Sequence, residues 1–120
     1  VPWIDVLAVD DVGPAGTVTV GLASMDVVVW RTTEGSIAAC DARCPHQWSH
    51  LGAVGIVDGD ELVCLSHHWR FDVDGYGSKL SATGRRDEKS EIATVPVRQI
   101  DGRIEIEIAE GDAPIAPTGS

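Results

Sequence analysis

Cys44, His46, Cys64 and His67 are the side chains of this sequence best suited to chemistry. Cys44-Pro45-His46 supplies one thiol and one imidazole; seventeen residues later Cys64-Leu65-Ser66-His67 supplies another of each. Two closely spaced donor pairs are what a metal centre held between two loops requires. Two chemistries fit. A [2Fe-2S] cluster can take two cysteines on one iron and two histidines on the other, and a structural zinc ion accepts two thiolates and two imidazoles in a tetrahedron. Chance is the third reading, and a poor one when the whole chain of 120 residues holds three Cys and four His.

The elements that must position these donors read as strands. Short apolar segments alternate with Gly, Pro and Asp-Gly pairs, and no stretch sustains a helical period for three turns. Strands are expected at residues 4–9, 17–22, 26–31, 36–41, 61–64, 69–73, 92–99 and 103–108. Asp26-Val27-Val28-Val29-Trp30 is a continuous apolar run after its first residue, the mark of a strand buried on both faces. Ile104-Glu105-Ile106-Glu107-Ile108 alternates and should have one wet face. Glu34-Gly35, Asp58-Gly59, Asp74-Gly75 and Asp101-Gly102 sit where hairpins should turn, glycine supplying the positive φ. Cys44 and Cys64 each follow a strand, so both donor pairs fall on loops that a rigid sheet can hold side by side. The polar stretch 75–90, with four of the nine basic residues, reads as a long surface loop that either rims the metal site or is plainly solvated. Residues 109–120 read as a tail or linker after a single domain at 1–108.

Composition narrows the function classes. A chain of 120 residues buries enough surface to fold without a staple, which points to a metal used for chemistry. At 43% hydrophobic and 23% charged it has the make-up of a soluble globular protein. No apolar run approaches the roughly 18 residues of a membrane span, and no basic-then-apolar leader opens the chain, so a cytoplasmic protein is expected. Three cysteines cannot all pair, and thiol ligands suit a reducing compartment. A net charge of −10 argues against nucleic acid as partner and favours proteins with basic docking patches, simple solubility being the alternative reading of that acidity.

The donor spacing resembles that of the Rieske iron-sulfur family. Leu51, five residues after His46, matches the leucine that packs beside the cluster in that family, and Trp69-Arg70-Phe71-Asp72 looks like the continuation in oxygenase Rieske domains and their ferredoxins. The resemblance implies an all-β fold, a Rieske-type antiparallel β-sandwich with a cluster-binding subdomain formed by two loops. It implies one [2Fe-2S] cluster per chain, with Cys44 and Cys64 on one iron and His46 and His67 on the other. Neutral imidazoles leave their iron easier to reduce than thiolates do, so the electron should settle on the histidine side, and the second imidazole nitrogens can couple it to a proton at high pH.

The same resemblance bears on the potential. High-potential respiratory members carry an extra cysteine on each loop and join them in a disulfide; the matching positions here are Ser49 and Ser66. Those members also donate a serine and a tyrosine hydroxyl to the cluster and one cysteine sulfur, where this chain has Trp69 and Phe71. Fewer donors leave the reduced, more negative state less stabilised, so the potential is expected near the low end of the family's roughly −150 to +300 mV. His68 stands where glycine is usual, and the spacing assigns the ligand role to His67 rather than to it. No proline falls between Pro45 and Pro96, although many members shield the cluster with a proline-containing loop; either the polar stretch covers it here or the cluster is less shielded.

The remaining candidates have plain readings beside functional ones. Cys40 reads as a small core residue, and Trp3 and Trp30 as core. Trp48 and Trp69 either seal the cluster or meet a partner, or simply fill the gap between sheet and cluster, and His50 and His68 are either donors around the ligands or surface residues. With His46 and His67 assigned, His50 and His68 both lie in the cluster loops, where they cannot build the separate mononuclear iron site of an oxygenase. The chain is therefore expected to be a carrier and not an enzyme: a ferredoxin passing single electrons from a flavin-containing reductase to a terminal aromatic or steroid oxygenase by transient docking, with no small-molecule substrate of its own. The alternatives are a domain or small subunit of a larger non-haem iron oxygenase, and a zinc-stabilised interaction module.

Overall fold

Val27, Val28, Val29 and Trp30 are each 1% exposed or less, so the strand that carries them has protein on both faces. A computed structural model describes residues 3–23, 25–45 and 49–108 and explains why. Alternate side chains of a strand point to opposite faces. Val28 and Trp30 enter one core with Ala38, Cys40, Leu62 and Phe71, while Val27 and Val29 enter another with Val20, Ala39, Ile104 and Ile106.

The described chain runs β1 (Trp3–Ala8), a 3-10 turn (Val9–Asp11), β2 (Thr17–Gly21), β3 (Asp26–Arg31), β4 (Ile37–Asp41), α1 (Leu51–Val54), β5 (Gly55–Asp58), β6 (Glu61–Cys64), β7 (Trp69–Phe71), β8 (Gly77–Leu80), β9 (Arg86–Lys89), β10 (Val97–Ile100) and β11 (Arg103–Glu107). Pairing is antiparallel throughout these strands, in sheets ordered β1-β11-β10, β2-β3-β4 and β5-β6-β7-β8-β9. The β2-β3-β4 sheet is the middle layer. One of its faces meets the five-stranded sheet and the donor loops; the other meets β11 and β1. The all-β sandwich holds, with α1 a single turn. Among the described residues no helix is long and apolar enough to cross a membrane.

Turn chemistry behaves as the sequence predicts: Gly35, Gly59, Gly75 and Gly102 all have positive φ. Ile104, Ile106 and Ile108 are buried, whereas Glu105 and Glu107 are partly exposed. Four expectations need correction. The stretch 75–90 is not a loop but the hairpin of β8 and β9, turning through Gly84 at φ 85°. Its strands lack apolar alternation because β9 lies at a sheet edge and faces inward with Asp87 and Lys89. The strand expected at 92–99 is shortened to Val97–Ile100, because the preceding segment crosses between sheets, pairing only at Cys40 and Thr94. β7 stops at Phe71, where the Asp72 carboxylate accepts the backbone N–H groups of Asp74 and Tyr76 and bends the chain. Trp3 is half-buried rather than core, with the Arg98 guanidinium 4.2 Å from its ring centroid.

Candidate metal centre

The first donor loop leaves β4 and returns to α1. Its base is pinned by backbone bonds: Cys44 N–H to Ser49 O at 2.9 Å, Leu51 N–H to Ala42 O at 2.6 Å, and Ala42 N–H to Asp26 O at 3.0 Å. His46 and Trp48, two of the residues singled out in the sequence, lie outside the described residues. Leu51 is fully buried in the same core as Cys44 and Cys64.

The second donor loop is the four-residue turn between β6 and β7. Cys64 ends β6 opposite Trp69, which starts β7. His68 closes the turn by donating its N–H to Cys64 O at 2.7 Å, with φ at +62°. Thus the residue standing in a glycine position keeps the left-handed backbone a glycine would adopt. The two loops are joined through the α1 to β5 segment: Leu65 N–H reaches Val54 O at 2.9 Å, and Gly55 pairs with Cys64.

Donor chemistry fits an iron-sulfur centre. Cys44 and Cys64 are each 1% exposed and share one core with Leu51 and Phe71. His67 is half-buried with its Nδ1 inside the protein, whereas His68 is exposed. Cys40, also in this core, has its thiol pushed up to about 12 by burial and then by the charge of Asp41, so it stays protonated and inert. Phe71 is buried, Trp69 packs partly against the core, and their rings lie 6.5 Å apart at 52°. His50 sits back from the donors: its Nδ1 accepts the Gly52 N–H at 3.0 Å, and its Nε2 lies 2.9 Å from Asp26 Oδ2. It therefore braces the first loop against the start of β3.

Comparison with known proteins decides which chemistry the donors serve. The Rieske [2Fe-2S] domain matches residues 2–99. The chain belongs to the Rieske [2Fe-2S] domain family. A Rieske domain binds a Rieske-type [2Fe-2S] cluster, which displaces the zinc reading. The 5,5'-dehydrodivanillate O-demethylase oxygenase subunit of Sphingobium sp. is 32% identical over 89 residues, covering 69% of this chain and 21% of that protein. The oxidoreductase NdmD of Pseudomonas putida is 28% identical over 106 residues, covering 85% of this chain and 18% of its own. This Rieske domain thus spans about a fifth of the length of those curated relatives. The crystal structure of apo dicamba monooxygenase superposes with a TM-score of 0.76 at 22% identity, over 97% of this chain and 34% of the other, and shows the shared fold.

Two features beside the donors are not legible in the sequence. Leu65, inside the second loop, is 45% exposed. Lys89, hidden in the stretch read as loop, places its ammonium 5.8 Å from the Trp69 ring centroid. No local signal marks either, because both depend on which strands pair.

Proposed function

We propose that this Rieske domain carries single electrons in an oxygenase system, with Cys44 and Cys64 on one iron of the cluster and His46 and His67 on the other, and that residues 1–108 form the functional unit with 109–120 as tail or linker. The observation that carries the reading is the burial of Cys44, three residues past β4, and Cys64, at the end of β6, in one core, together with a His67 Nδ1 that is itself buried. The exposure of His68, next in the same turn, supports His67 as the ligand. When bound, the cluster supplies reversible one-electron chemistry. Around it Leu51 and Phe71 exclude water, and neither Phe71 nor Trp69 has a hydroxyl to donate, so the midpoint is expected below about +100 mV within the family's range.

In its fuller form the protein is a ferredoxin, accepting electrons from a flavin-containing reductase and delivering them to a terminal oxygenase. Exposed Leu65 offers an apolar contact beside His67, and a net charge of −10 steers basic partners toward transient docking. A second reading, a Rieske domain built into an oxygenase subunit, is favoured by the Sphingobium relative, itself such a subunit. The length of the encoding reading frame separates the two. The cluster assignment is tested by iron and acid-labile sulfide analysis with EPR of the dithionite-reduced protein. Equimolar iron and sulfide and a low average g are expected; a colourless zinc protein would overturn it.

A further inference from the structure

Lys89 projects from the same sheet face as the core residues beneath the donors. Phe71 pairs with both Leu62 and Gly77, and Gly77 pairs with Lys89; directly opposed residues of antiparallel strands share a face. Leu62 and Phe71 face the core, so Lys89 does too. From β9 its side chain reaches toward the donor loops, and the ammonium rests 5.8 Å from the centroid of Trp69. Trp69 in turn stands opposite Cys64 and directly follows His68. The hairpin is held close here: a Cβ on Gly77 would collide with Ser90 O, just past the end of β9, so only glycine lets the two strands approach this tightly.

We propose that Lys89 sets the reduction potential of this Rieske domain by holding a fixed positive charge on Trp69, beside the second ligand loop. The inference rests on the cluster reading above. With two ferric ions, two sulfides and two thiolates the oxidised centre is formally neutral, and one added electron leaves one negative charge. A cation on the order of 10 Å from the site stabilises the charged state over the neutral one. The ring face attracts the ammonium and keeps it from drifting into solvent. Lys89 thus offsets part of what the missing hydroxyl donors withhold. It acts through the field alone, as a positioning residue for charge, and exchanges no proton or electron.

A plain packing role for the lysine stem would be kept by Lys89→Met, which preserves length and apolar contact. The test is therefore the midpoint potential of the holoprotein by spectroelectrochemistry, with iron and sulfide content measured in parallel. Lys89→Met should lower the equilibrium constant for reduction ~3–10-fold, a fall of about 30–60 mV at 59 mV per tenfold for one electron. Lys89→Glu should fall further, Lys89→Arg should stay near wild type, and the gap between wild type and Lys89→Met should narrow at high salt. A loaded Lys89→Met or, should that variant not load, a loaded Lys89→Gln with an unchanged midpoint overturns the proposal while leaving the cluster reading intact. A wild-type protein lacking iron and sulfide overturns both.

Discussion

His68 holds φ at +62° and its N–H is committed to Cys64 O at 2.7 Å, so the second donor loop depends on a residue in a conformation that costs an L-amino acid roughly 1–2 kcal/mol. The side chain is exposed and gains little in return. His68→Gly should remove that strain, at the expense of a more flexible unfolded chain, and raise stability by about 0.5–1 kcal/mol. Urea denaturation of the holoprotein checks the sign. Iron and sulfide content should be unchanged, because His67 is the proposed ligand; loss of the cluster in His68→Gly would move the ligand role to His68. At this scale the sequence was most informative where chemistry depends on spacing. The core role of Cys40 and the glycine-like position of His68 could both be read from it, and the spacing of Cys44, His46, Cys64 and His67 is what the proposed ligand set rests on. Lys89 and Leu65 could not, because their placement is set by strand pairing and by burial elsewhere.

Strands were legible in proportion to how apolar their buried faces are. β3 and β11 stood out because valines, isoleucines and Trp30 supply their inward positions. β8 and β9 did not, because their pairing relies on Gly77, Ser78 and charged side chains, residue types depleted in strands. What ties the five-stranded sheet together on its outer face is an ion network. Glu61 on β6 accepts from Arg70 Nε at 2.8 Å and from Arg86 Nη1 at 2.6 Å, and Arg86 also reaches Ser78 Oγ at 2.6 Å. Arg70 is shared with Asp58, so β5, β6, β7, β8 and β9 are all linked. Burial pushes the Glu61 carboxyl up, but hydrogen bonds from Arg70 and Arg86 prevail and hold it below its usual 4.5. A carboxyl depressed in the folded state contributes fully above its unfolded value and loses that contribution as pH falls through the folded one. Glu61→Gln should therefore cost about 1–3 kcal/mol at neutral pH, since the side chain is only 13% exposed and its removal leaves half-buried Arg70 less well paired. The gap to wild type should persist down to pH ~4.5 and close below it. Urea midpoints at neutral pH, at that value and one unit lower test this, with the visible spectrum confirming that the cluster stays bound.

At the scale of the whole molecule, β3 divides two cores of different dependence on the cluster. One contains Cys44, Cys64 and Leu51 together with Val28, Trp30 and Phe71; the other contains Val20, Val27, Val29, Ile104 and Ile106 and none of the candidate ligands. Removing iron and sulfide leaves the first core facing the space between two donor loops, whose described residues are braced by local backbone bonds such as Cys44 to Ser49, Leu51 to Ala42, Ala42 to Asp26, Leu65 to Val54 and His68 to Cys64. Among the described residues the second core includes none from the donor loops and rests on the pairing of β1 and β10 with β11 and on the Arg103 to Asp5 bidentate bond at 2.8 and 3.1 Å. Local stability follows local contacts, so the two halves should respond differently to loss of the cluster. Hydrogen exchange of apo against holo protein should show amides of residues 42–54 and 64–71 losing protection by roughly tenfold or more, while those of β1, β10 and β11 change little. Uniform loss across both cores would mean that β3 transmits the cluster's stabilisation through the middle layer, making the domain a single cooperative unit that depends on its metal. Protection retained everywhere would mean that the donor loops are preformed, with the backbone bonds at their bases sufficient to hold them without iron.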